Sequence, residues 1–346
     1  MSLQSTDAAF STALSAALAL PPMSHNCRPA MFRETSGSWL VCLARNGEAR
    51  PAYWLKVRKP VRSIPPSRRK EEQLSAALEY RIALAISDHF SQFSEFRDSV
   101  PRPVKFLPDH QTILMEYGGS RLLKDMLIWR GNVLGSLRSR RELLRVAELC
   151  GAWISLLHIM DHPDWLPVHR IDADELRSRT VTAAARLPEA VRRQVPLDTL
   201  LGWVSEMTTG SQHLAVSHGD YQPGNILVAG SQIGVIDMAT AGIRPVEDDL
   251  GTFITFLFTQ KQRVVFSSIA GSRGLTRQLR DAFLNGCGFR SREDLDRLRP
   301  FMAWHIVQRL ADMSTRIDRW PRLVRPLLRR RLADWVRSEL PLVIEG

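Results

Sequence analysis

Apolar residues recur along this chain with two different periods, and the change of period divides it. Ser38-Trp39-Leu40-Val41-Cys42-Leu43 and Ala52-Tyr53-Trp54-Leu55-Lys56-Val57 are rich in β-formers and flank Asn46-Gly47, a dipeptide that tolerates the positive φ of a tight turn. Residues 38–58 therefore read as a hairpin. A basic, proline-containing loop follows, and then Glu71 to Phe90 reads as a helix, because Leu74, Leu78, Ile82 and Ile86 recur every four residues along one face. Pro101 and Pro103 interrupt the chain before a strand at Gln111–Tyr117, which ends at Gly118-Gly119, the best placed hinge. Beyond it the pattern turns helical, as in Leu143–Met160. One small hairpin breaks it, from Leu227-Val228 through Gly230 to Ile233-Gly234-Val235-Ile236. From residue 249 helix returns, and Leu323, Leu327, Leu328, Leu332, Trp335 and Val336 form an apolar stripe between arginines.

This order, strands first and helices afterwards, predicts an α+β protein rather than an alternating parallel sheet. With 346 residues the chain exceeds what one compact core usually holds. A small β-rich lobe over 1–117 and a larger helical lobe over 118–346 are expected. The N-terminal run up to Pro21-Pro22 is apolar but short and lacks a basic start, so a packed helix is expected there rather than a targeting segment. Uninterrupted apolar stretches of membrane-spanning length are absent, and the four scattered cysteines (Cys27, Cys42, Cys150 and Cys287) show no metal-ligand spacing. Free thiols in a cytoplasmic protein are the expectation.

Charge changes the picture in one respect. The net charge is +11, and residues 261–346 hold 18 Lys/Arg against 9 Asp/Glu, so most of the excess lies near the C-terminal end. Such a bias attracts anionic partners, although a solvated basic face needs none.

The informative segment is Ser217-His218-Gly219-Asp220-Tyr221-Gln222-Pro223-Gly224-Asn225-Ile226-Leu227, followed twelve residues after Asn225 by Asp237 in Val235-Ile236-Asp237-Met238. Phosphoryl transfer needs a carboxylate to take a proton from an acceptor hydroxyl. It also needs oxygen ligands for Mg²⁺ and a cation that places the phosphates. Asp220 and Asn225, five apart across a Pro-Gly turn, can aim a carboxylate and an amide oxygen into one cleft, with Asp237 leaving the hairpin beside them.

This arrangement resembles the aminoglycoside phosphotransferase-like kinases, which include choline, homoserine and related small-molecule kinases. Their signature, H-G-D-x-x-x-x-N, then I-D, then D-L-A, is matched by His218-Gly219-Asp220, Asn225, Ile236-Asp237 and Asp249-Leu250-Gly251. The match departs from the signature at Gly251, and Met238 stands where an aromatic residue is common. The resemblance implies a two-lobed protein-kinase-like fold and transfer of the γ-phosphate of ATP (or GTP) to a hydroxyl. It makes Asp220 the catalytic base and Asn225 and Asp237 the Mg²⁺ ligands. Lys56 resembles the family's phosphate-contacting lysine, with Glu79 the expected carboxylate partner and Glu71 or Glu72 the alternatives. Met115, Glu116 and Tyr117 would offer backbone groups to the adenine, and Ser36-Gly37-Ser38 stands where a nucleotide loop belongs. His218 is expected to brace the loop, His158 to be a core histidine, and Asp249 to cap a helix beginning at Leu250. Glu247 and Asp248 are alternatives for reaching substrate.

The region after Asp237 is arginine-rich, from Arg273 through Arg325, Arg329, Arg330, Arg331 and Arg337. A neutral or anionic small molecule or sugar therefore fits as acceptor better than a polycation, and the last helix is placed to meet an anionic membrane surface. Two further classes are a catalytically inactive kinase fold acting as a binding module and a nucleic-acid-binding protein. Against the first stands a complete set of metal ligands and base. Against the second stands the lack of any recognisable nucleic-acid-binding motif.

Overall fold

In the computed structural model, residues 8–20, 26–34, 37–48, 51–59, 75–117, 121–130, 137–207, 212–259 and 273–345 are described. They fall into two compact units, Met1–Ser120 with Gly234–Ala241, and Arg121–Ile233 with Gly242–Gly346. The short segment 234–241, although late in the sequence, belongs with the first.

The first unit is built on a five-stranded antiparallel sheet: β1 (Cys27–Glu34), β2 (Ser38–Arg45), β3 (Pro51–Arg58), β4 (Pro103–Leu107) and β5 (Thr112–Glu116), in the order β1-β2-β3-β5-β4. The hairpin read from the sequence is β2–β3, with Gly47 at φ +84° in its turn. The strands β1 and β4 were not foreseen. Each edge of the sheet carries a proline, Pro29 or Pro103, beside a shift of register. Proline cannot donate to a ladder and a bulge interrupts the alternation, so both edges lose the period-two pattern that marks an inner strand.

Alternation along β3 sends Tyr53, Leu55 and Val57 to one face, where they join Val41, Leu43 and Leu114 and the helix α1 (Ala8–Leu18) through Phe10, Ala13 and Ala17. The expected N-terminal helix is thus the lid of this core. The opposite face carries Lys56. The helix α2 (Ala76–Phe90) begins at Ala76 rather than at the expected Glu71, because the Ser75 side chain accepts from Leu78 N and caps it. Leu74, Glu71 and Glu72 lie outside the described residues, as does the proposed hinge Gly118-Gly119. The expected strand 111–117 is shorter by one residue at each end, and Gln111 takes the left-handed conformation (φ +46°) that turns the chain into it.

The second unit holds β6 (Arg121–Leu122), α3 (Leu123–Arg130), α4 (Leu137–His158), α5 (Ala173–Ala185), α6 (Glu189–Arg192), α7 (Leu197–Ser205), β7 (Leu214–Ser217), β8 (Ile226–Ala229), the first half of β9 (Gln232–Val235), β10 (Gly242–Pro245), α8 (Val246–Phe258), α9 (Arg273–Cys287), α10 (Arg292–Ile317) and α11 (Arg325–Glu345). The strands β8 and β9 are the expected small hairpin. The pair β7–β10 was not foreseen, being only four residues long on each side. Two glycines let α4 and α9 touch backbone to backbone. A Cβ at Gly151 would lie 2.0 Å from Phe283 O, and one at Gly286 would lie 2.1 Å from Glu148 O. Along α11 the stripe is buried at Leu332, Trp335 and Val336, but Leu323 and Leu327 are exposed, so the sequence pattern overstates it at its N-terminal end. All four cysteines are free, as expected.

Candidate active site

Lys56 sits at the centre of the first unit's polar cluster. Inward-facing on β3, it is almost wholly buried, and its Nζ donates to Glu79 Oε1 and to Asp237 Oδ1, each at 2.6 Å. Glu79, buried in the first turn of α2, is also held by Arg58 Nη2 at its second oxygen. A buried ammonium requires this pairing, since desolvation of an unpaired charge costs several kcal/mol. The pairing of Lys56 with Glu79 is the one read from the sequence; the bond to Asp237 and the part of Arg58 were not anticipated.

Asp237 reaches Lys56 through an unusual backbone. Val235 N donates to Ser99 O, and the chain then turns at Asp237 with φ +71° and ψ +61° before the buried turn Met238–Thr240. Left-handed φ is uncommon outside glycine, and persists where surrounding structure imposes it. Here Asp237 remains 44% exposed while Lys56 and Glu79 are 6% and 4% exposed in their side chains. Met238, which replaces a common aromatic, is buried beside Met115, Ile113 and Glu79 around a small cavity.

Of the residues expected at the adenine, Glu116 N already donates to Arg102 O and Tyr117 N to Ala52 O. Those two amides belong to the sheet and its extension. Met115 lines the cavity, and the Tyr117 ring stacks on Trp54 at 5.4 Å between centroids. Ser36 lies outside the described residues; Gly37 O accepts from Lys59 N.

In the second unit, β7 delivers the chain into His218-Gly219-Asp220. Asp249 Oδ2 accepts from His218 N and Oδ1 from Gly219 N, both at 2.8 Å. Asp249 is thus not a helix cap. The helix begins at Val246, so Asp249 lies within its first turn, almost wholly buried, and clamps the loop backbone instead. His158 Nε2 approaches the same carboxylate at 3.4 Å, in keeping with a core histidine. His218 is fully buried and its Nδ1 accepts from Asp220 N at 3.3 Å, a bracing contact. Glycine at 219 is required by φ +74°.

The Asp220 carboxylate is held at both oxygens, by Gln222 Nε2 at 2.9 Å and Asn225 Nδ2 at 3.3 Å, while Asn225 Nδ2 also donates to Asp220 O at 2.9 Å. Gln222 was not singled out in the sequence. Its spacing from Asp220 was the available signal. Tyr221 anchors the loop from beneath: its hydroxyl donates to Cys150 O, and its ring stacks with Trp153 and Phe253, burial pushing its acidity far down. Glu247 and Asp248 turn inward. Asp248 binds His305 at 2.9 Å, and Glu247 meets Arg297 at 3.7 Å with its carboxyl pKa raised by burial.

The donors fit a hard cation. With Asn225 Nδ2 committed to Asp220, the amide oxygen is the group this side chain has to offer, and Asp237 is a partly open carboxylate. Among the described residues no set of three His, Cys, Asp or Glu forms a cage of its own. Side-chain amide and carboxylate oxygens are the donor types that Mg²⁺ takes.

A family model, "Phosphotransferase enzyme family", matches residues 43–301. Comparison with curated proteins found no match. Among solved structures, a protein described as an aminoglycoside phosphotransferase from Ralstonia eutropha aligns with a TM-score of 0.61 at 15% identity, covering 97% of this chain and 98% of that one. A choline/ethanolamine kinase family protein from Mesorhizobium loti aligns at 0.55 and 12% identity, covering 98% and 95%. A glucosamine kinase in complex with glucosamine, ADP and inorganic phosphate aligns at 0.54 and 18% identity, covering 92% and 81%. At these identities the likeness is one of fold, the α+β protein-kinase-like one.

Proposed function

The chain belongs to the phosphotransferase enzyme family, and we propose that it is a small-molecule kinase moving the γ-phosphate of ATP (or GTP) to an acceptor hydroxyl. The observation that carries this reading is the unequal pair of carboxylates on Lys56. Glu79 is sealed and doubly bonded, a permanent brace. Asp237 is nearly half exposed and strained, the partner that can exchange for phosphate oxygen and cation. A lysine so held is pre-oriented toward phosphates, and the ADP bound by the glucosamine kinase structure supports an adenine nucleotide.

In this reading Asp220 accepts the proton of the acceptor hydroxyl as its oxygen forms a bond to the γ-phosphorus. The bond from that phosphorus to the bridging oxygen breaks, and the nucleoside diphosphate leaves with the electron pair. Gln222 and Asn225 each donate to one oxygen of the carboxylate, an orienting role. Asn225 and Asp237 are the residues that would hold Mg²⁺ by their side-chain oxygens, and its charge would stabilise the phosphates. Lys56, braced by Glu79, orients the phosphates, and Met115 borders the nucleotide's end of the sheet.

The test is Mg²⁺-dependent nucleotide binding by wild type and Asp237→Ala, followed by a screen of hydroxylated acceptors. Binding lost in the variant and turnover stimulated by one acceptor class is the expected result. A folded wild-type protein that binds no nucleotide would return the chain to the inactive binding-module reading.

A further inference from the structure

Three of the eight large apolar side chains that stand exposed among the described residues fall within 320–327, at the turn joining α10 to α11. Trp320 is 42% exposed, Leu327 57% and Leu323 95%. Single exposed leucines are ordinary on a protein surface; a cluster of them with an indole marks a contact surface. The turn that carries them is held by its own hydrogen bonds. Trp320 N donates to Ile317 O, Val324 N to Pro321 O, and Arg325 Nε to Trp320 O at 2.6 Å; Leu328 N then opens α11 by donating to Val324 O. Pro321 and Pro326 fix φ on either side of Leu323. Because Leu332, Trp335 and Val336 turn inward, Leu327 lies on the outer face, with Arg330 and Arg331 three and four residues further along it.

Charge says what covers this surface. Residues 318–331 hold six arginines, Arg319, Arg322, Arg325, Arg329, Arg330 and Arg331, against one carboxylate, Asp318, which Arg329 meets at 2.7 Å. All of them but the half-buried Arg325 are exposed. Leucine and tryptophan interleaved with arginine match the interface of an anionic bilayer. The acyl boundary takes the leucines, the headgroup layer takes the indole, and lipid phosphates take the guanidinium groups. A nucleic acid would use the arginines and could stack on the indole, but it would leave Leu323 and Leu327 in water.

We propose that the α10–α11 turn docks this protein on an anionic lipid bilayer, with Trp320, Leu323 and Leu327 entering the interface and the arginines of 319–331 facing the headgroup phosphates. The membrane contact expected of the last helix is thereby confined to its first turns and the residues just before them. Along the rest of α11, Leu332, Trp335 and Val336 are buried in the protein and have nothing to give a membrane. Such docking does not depend on the kinase reading.

The test sediments the full chain with vesicles of phosphatidylcholine alone and with vesicles of phosphatidylcholine mixed with phosphatidylglycerol, at low and high salt. Wild type is compared with two double variants, Leu323→Ser with Leu327→Ser and Arg322→Gln with Arg330→Gln. Wild type is expected to bind the anionic vesicles about tenfold or more tightly than the neutral ones, a preference that falls at high salt. Each double variant is expected to lose about tenfold on the anionic vesicles, the leucine pair through lost apolar burial and the arginine pair through lost attraction. The substituted side chains are exposed, so both variants should keep the wild-type Tm; Leu323→Ser alone replaces the leucine pair if that variant does not fold. No binding by wild type, or equal binding to both kinds of vesicle, overturns the proposal. Unchanged vesicle binding by a folded leucine variant overturns it as well, and duplex DNA bound equally well would then assign the arginines to nucleic acid.

Discussion

At the scale of single residues, two carboxylates that look alike in the sequence are given opposite tasks by their surroundings. Asp249 is buried and clamps two amides; Asp220 is held by two side-chain amides at an accessible edge of the same loop. Asp220→Ala is expected to lower kcat on the order of a thousandfold while leaving nucleotide affinity within about twofold, since the general base acts only in the transition state. Asp249→Asn is expected to cost about 1–3 kcal/mol, because one of the His218 and Gly219 amides would lose its charged acceptor in a buried place. Chemical denaturation measures it. Glu247 offers a pH test. Burial raises its pKa above the usual 4.5, so the folded state holds the proton more tightly than the unfolded chain, and its ionisation costs stability as pH rises through the raised value. Glu247→Gln should therefore raise Tm at neutral pH and lose that gain below the usual carboxylate range.

Elements are set by close approach as much as by periodicity. The crossing of α4 and α9 depends on Gly151 and Gly286, where any side chain would strike backbone that cannot rotate away. Gly286→Ala is expected to destabilise by at least about 1–3 kcal/mol in thermal unfolding, against the usual gain of replacing a helical glycine. The same logic separates the two ends of the C-terminal stripe: Trp335 and Val336 meet the body of the second unit, while Leu323 and Leu327 do not. Ser75, which sets the start of α2 and so the position of Glu79, is worth about 1 kcal/mol as a cap.

For the molecule as a whole, the prediction concerns linkage. Saturating Mg²⁺ and ATP should stabilise the wild-type protein, by about 2.7 kcal/mol at a hundred times Kd, and should leave the Tm of Asp237→Ala unmoved.

The family was largely written in the chain. The spacing of His218, Gly219, Asp220 and Asn225 and the later Asp237 carries the resemblance by itself, because a loop that must present fixed groups tolerates little change in length. The hairpin carrying Lys56 and the pairing with Glu79 were legible for a similar reason: alternation along a strand and the face of the following helix decide which way each side chain points. What needed the tertiary structure is everything set by partners distant in sequence. Period-two patterns vanish at edges that carry proline and bulges, so β1 and β4 were invisible. Nothing local shows that the amides of Glu116 and Tyr117 are already taken by Arg102 and Ala52, or that Asp249 turns back to the loop thirty residues before it.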